Sequence, residues 1–237
     1  MKSTNPFLKE QAVSYASSGA TFNAKGALNK TILGLVVMVG IMLITISTPL
    51  IRIVASMYIP LSIGLFVAMI ALGIMARNDI SKAKMIFWVY AIIEGLLLSV
   101  FVAIAESIIP GIGITAALIT FGIVVGMYLV YQIAPGLIRT LTPIFIVAIG
   151  VLGLLFFVNF IVSIFGAGFL PYDSMGFSLL LLGISSFSIG MDFQQIDMMD
   201  RANLSKEYEW LGALGLLTSI VWTFINVIRL LLIRGRD

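Results

Sequence analysis

Two carboxylates stand inside long apolar runs of this 237-residue chain. Glu94, in YAIIEGLLLS, lies near the middle of one run, and Asp192, in SIGMDFQQID, lies where another ends. A charge within lipid is costly and by default marks function. Glu94 has two readings: a neutral side chain donating one hydrogen bond between helices, or a station for an ion or proton. Glu106, near the end of the same run, reads as interfacial. For Asp192 the choice lies between a helix-end charge facing water and a latch. Such a latch pairs the carboxylate with a basic group across a helix interface and responds to protonation. Arg77, with Lys82 and Lys84 beyond it, is the basic group expected on the same side.

The stretch Ser185–Arg229 holds five of the eleven acidic residues, Asp192 among them, and it joins two apolar segments through a loop over 193–207. The second segment carries Gly212, Gly215, Ser219, Thr223 and Asn226 along one helical face. Glycine and serine let helices approach closely, while Thr223 and Asn226 can hydrogen-bond across the interface. Asn159 reads in the same way, and Arg229 as a snorkelling end residue. Asp197, Asp200, Glu207 and Glu209 read as solvated loop charges. Carboxylates are natural calcium ligands, so Asp192 is a weak candidate calcium ligand, and Asp197 and Asp200 attract divalent cations weakly. No twelve-residue calcium loop is present.

The chain has no histidine and no cysteine. That excludes a Ser–His protease, a haem centre, a histidine zinc site and disulfides. A paired-aspartate intramembrane protease needs a second carboxylate within an opposing span, and Asp192 has no evident one. A Schiff-base lysine is absent from 210–233. The expectation is a protein that is not an enzyme and carries no cofactor, with calcium at most a permeant ion.

These residues must be positioned by membrane helices. Hydrophobic residues make up 60% and charged residues 11% of the chain, against roughly 25% charged in a soluble domain. Mean hydropathy is +1.13. A bilayer core of ~30 Å needs about 20 apolar residues per helix. Seven windows qualify, at about 31–48, 57–76, 85–107, 112–134, 142–166, 175–192 and 210–233. The continuous apolar runs exclude a barrel, so the fold is all-α. Residues 1–30 read as a polar, cytoplasmic leader without the apolar core of a signal peptide; residues 31–237 form one transmembrane domain. No fixed-period repeat is visible.

Short-loop charges set the orientation. With the N-terminus inside, ten basic residues fall on the inner side: Lys2, Lys9, Lys25, Lys30, Arg77, Lys82, Lys84, Arg139, Arg201 and Lys206. Arg52, Arg229, Arg234 and Arg236 fall outside. A re-entrant last segment would make the asymmetry larger still, but 210–233 is long enough to cross. Net charge is +3, which suits an anionic leaflet and gives no sign of nucleic acid.

Several segments are familiar together: FNAKGALNKT before the first span, EGLLLS at 94–99, MDFQQI at 191–196, EYEWLGALGLLTSIVW at 207–222, and FINVIRLLL. Spread over nearly the whole chain, they resemble the Bax inhibitor-1 family (transmembrane Bax inhibitor motif), and within it the bacterial YccA-like branch. The resemblance implies a seven-helix bundle whose last helix is wrapped by the other six, a pH-sensitive calcium leak, and residence in a bacterial inner membrane. In characterised relatives an Asp ending span six pairs with an Asp in span seven, and a basic residue after span two joins the latch. Asp192 matches the first Asp, and Arg77 matches the basic residue approximately. The second Asp has no counterpart: TFINVIR places Thr223 there, with Ser219 and Asn226 nearby. A di-aspartate sharing a proton therefore does not carry over. The resemblance also implies an alternative function, a non-conducting protein that regulates a membrane protease or a stress response.

Overall fold

The computed structural model describes residues 21–65, 67, 79–166, 168–171 and 174–235. Described residues form helices and short connections with no strand, save an isolated bridge between Thr21 and Ser205. We number the helices α1 (Ala24–Ser47), α2 (Leu50–Ser56), α3 (Ala83–Ile108), α4 (Ile112–Ile133), α5 (Pro135–Ile164), α6 (Met175–Arg201) and α7 (Tyr208–Arg234). Residues 58–65 are also helical, and the rest of the expected 57–76 span falls largely outside the described residues. All the labelled helices except α2 are long and apolar enough to cross a membrane. At ~1.5 Å per residue, α7 is about 40 Å long and unbroken, sufficient for a full crossing.

Local chemistry explains where helices start and stop. Asn23 opens α1: its side chain accepts from the Lys25 amide, the usual N-cap role. Hence α1 starts at residue 24, seven residues before its apolar run. The loop expected before 142 is instead helix, because Pro135 sits at the first position of α5, where a missing N–H costs nothing. Between α3 and α4, Gly111 takes φ 85°, and the Glu106 carboxylate accepts from the amides of Gly111 and Gly113 at 2.7 and 2.8 Å. Glu106 thus caps α4.

Before α3, Asp79 caps a single 3₁₀ turn through Ser81. Those hydrogen bonds to Ser81 hold its carboxyl below the ordinary aspartate range, with Lys82 assisting. A depressed folded-state pKa adds stability above the unfolded value, and that contribution is lost as pH falls through the folded one. We expect a carboxyl-carbon NMR titration of Asp79 to show a midpoint below that of a model aspartate, and Ser81→Ala, which removes the hydroxyl but keeps the amide donor and Lys82, to raise it part of the way.

The interior is built around α3 and α7. Helix α7 packs against α1, α3, α4 and α6, so it is central in the bundle. Helix α3 is equally well covered, and Phe87, Tyr90, Ala91 and Leu98 join Ala213, Leu217 and Val221 in one cluster. At the start of α7, Trp210 packs against Phe87 and Trp88, with centroids 5.3 and 6.0 Å away. Helix α5 is peripheral and packs on α6 and α4. Its Ile144, Val147, Val151 and Leu154 are exposed, as lipid-facing side chains would be.

One end of the bundle gathers the basic residues. The starts of α1 and α7 meet where the Phe22 amide bonds the Leu204 carbonyl at 2.7 Å. Lys30 and Lys84 both lie over the Trp210 ring, 4.9 and 5.7 Å from its centroid.

Candidate functional site

Asp192 is not at a helix end. Helix α6 runs to Arg201, and the connection to α7 shortens from the expected 193–207 to 202–207. Phe193, Ile196 and Met199 recur every three residues and are buried together with Ile189, Leu216 and Ile220, so the apolar face continues after the hydropathy falls. What stops the helix is Asn203, at φ 49°. The Asn203 amide bonds the Asp200 carbonyl, the Leu204 amide bonds that of Met199, and Leu204 packs into the same cluster as Met199. This is a Schellman ending with Asn in the left-handed position.

The carboxylate points at α7. A Cβ placed on Gly215 would stand 3.2 Å from Asp192 Oδ1, and one on Gly212 would stand 3.3 Å from Ile196. The small seam of α7 therefore faces α6. Ser219 lies beside the Asp192 carboxylate. The other Asp192 oxygen, Oδ2, is closed off from solvent and has no hydrogen-bond partner among the described residues. A cavity of about 400 Å³ adjoins it, lined by Asp192, Gln195, Gly212, Gly215, Thr218 and Ser219 together with Ile196, Leu211 and Leu214.

Thr223 and Asn226 are buried, but each bonds its own helix: the Thr223 hydroxyl donates to the Ser219 carbonyl at 2.9 Å, and Asn226 Nδ2 donates to that of Trp222 at 3.0 Å. The hydroxyl meeting Asp192 is thus that of Ser219, one turn before Thr223. Arg77, the expected latch partner, lies outside the described residues.

Glu94 is buried in α3 at 9% exposure. No hydrogen bond or ion pair reaches it among the described residues; Tyr58 and Tyr90 lie close enough to sense its charge. Tyr90, one turn before Glu94, lies close to Thr218 on α7, and Thr218, whose hydroxyl donates to the Leu214 carbonyl, lines the Asp192 cavity. The two membrane carboxylates are therefore both near side chains packed on the central helix, a proximity no sequence spacing indicates.

Glu209 overturns its reading as a solvated loop charge. It is 2% exposed, forms an ion pair with Lys30, and accepts from the Asn23 amide at 3.1 Å. Asp197 is held as well, by Tyr131 at 2.7 Å and Arg201 at 2.9 Å. Among the described residues no three carboxylates converge as a metal site would require.

Comparison with curated proteins and with solved structures returned no match. A family model described as Bax inhibitor 1 like matches residues 5–235. That match covers almost the whole chain, including both carboxylate-bearing helices and the glycine seam. The chain belongs to the Bax inhibitor 1-like family of integral membrane proteins.

Proposed function

We propose that this protein is not an enzyme and lets cations, calcium or protons, leak slowly across a bilayer under control of pH, with Asp192 as the gating carboxylate. Its place is a bacterial inner membrane, in the YccA-like branch, with the basic end of the bundle and the N-terminus in the cytoplasm. The carrying observation is the state of Asp192: one oxygen faces Gly215 with Ser219 close by, and the other is closed off and unpartnered among the described residues beside a cavity of about 400 Å³. A buried carboxylate without full hydrogen-bonding is costly, and a bound proton, cation or water relieves that cost. Arg77 is the candidate partner that closes the gate. Glu94 is the second station, near Tyr90 and Thr218.

Purified protein in liposomes loaded with a calcium-sensitive dye, assayed across a pH series, tests this reading. We expect flux that changes with pH in the parent and a loss of that dependence in Asp192→Asn. Absence of flux at every pH, or a variant indistinguishable from the parent, would sink the proposal and favour the non-conducting regulator. Deleting residues 2–20 leaves Phe22 and Asn23 in place, so a leak predicts unchanged flux.

A further inference from the structure

The end of the bundle where α1 and α7 begin holds a second cleft, of about 550 Å³. Its walls include Thr21, Lys25, Asn29, Lys30, Leu33 and Lys206, with Glu209 at its base. Glu209 is already spent: one oxygen accepts from the Asn23 amide and the other takes the Lys30 ammonium. Lys25 and Lys206 are exposed and form no ion pair among the described residues. Two uncompensated ammonium groups thus border one cleft, with the hydroxyl and amide groups of Thr21 and Asn29 between them. Lys84, which also lies over the Trp210 ring, adds positive charge nearby.

The remaining wall is apolar. Leu33 is 47% exposed, and Ile32, Val36, Val39 and Leu43 continue an exposed stripe on the same helix. The cleft therefore sits where a belt of lysines meets a lipid-facing surface. Amino groups at that depth attract anionic headgroups, each contributing ~1 kcal/mol near a charged surface. The chain's own first twenty residues carry no net negative charge to complement them, since Lys2 and Lys9 outnumber Glu10.

We infer that this cleft binds a phosphate group of net negative charge, that of an anionic phospholipid, between Lys25 and Lys206. Its acyl chains lie along Leu33 and Val36 of α1. The site is separate from Asp192 and stands whether or not the protein conducts.

The test uses the full chain in detergent micelles and native mass spectrometry. Probes are dioctanoyl phosphatidylglycerol, dioctanoyl phosphatidylcholine, and sn-glycerol 1-phosphate as the soluble source of the same phosphate. Expected is retention of phosphatidylglycerol at least about tenfold tighter than phosphatidylcholine. The double variant Lys25→Gln/Lys206→Gln should lose that preference while Lys82→Gln keeps it. Both lysines are exposed, so melting temperatures matching the parent's will show that the fold is retained. Equal binding of the two lipids overturns the inference, as does a double variant with undiminished preference. Competition by glycerol phosphate at the lipid's own affinity overturns the lipid assignment and points to a soluble phosphate ligand.

Discussion

Glu209→Ala is expected to destabilise the protein by about 3 kcal/mol, the low end for breaking a buried ion pair. The variant leaves the Lys30 ammonium and the Asn23 amide without their acceptor. The lysine side chain keeps 16% exposure and can turn partly toward water, which holds the loss at that low end. Unfolding in mixed dodecyl maltoside and SDS micelles measures it. Glu207→Ala, at the half-buried residue two positions earlier, should move the midpoint by less than about 0.5 kcal/mol. The double variant Lys30→Met/Glu209→Met should recover much of the loss, since apolar replacement of a buried pair is often neutral. If Glu209→Ala unfolds like the parent, the pair does not hold the starts of α1 and α7 together.

The second large effect is expected from Gly95→Ala, at about 1–3 kcal/mol of destabilisation through overpacking. A Cβ on Gly95 would stand 2.8 Å from the Met38 carbonyl oxygen and 3.2 Å from Ile41. Main chain cannot move aside as a side-chain tip can, so α1 and α3 must separate. Gly40→Ala, on the neighbouring helix with open space around it, is the control. It should leave stability unchanged or raise it by up to ~1 kcal/mol, because alanine is the better helix former. A Gly95→Ala variant as stable as Gly40→Ala would mean that α1 and α3 do not approach this closely.

Fold class was legible because lipid demands long apolar helices, and hydropathy reads length directly. Helix ends were less so. The apolar count ends α6 at Asp192, whereas the buried series Phe193, Ile196 and Met199 carries it to Arg201; periodicity there outweighs mean hydropathy. Residues 135–141 fall between two expected spans, yet Pro135 starts a helix there, since proline both ends helices and suits their first turn. At the site, the small seam on α7 was visible as spacing. Its register against α6 was not, because one turn separates Ser219 from Thr223 and nothing local to the sequence selects between them. Lys30 and Glu209 are distant in sequence, and no local pattern pairs such residues. Only the return of α7 alongside α1 does so.

The ending of α6 at Asn203 has a mechanical consequence. With 202–207 as the whole connection, and with Phe22 bonded to Leu204 and Thr21 bridged to Ser205, the hairpin of α6 and α7 is fastened at its basic end. The two helices cannot slide past each other by a turn there. Any widening around Asp192 must be a change of angle, like tongs opening from a riveted end, with the displacement growing toward Met175 and Arg234.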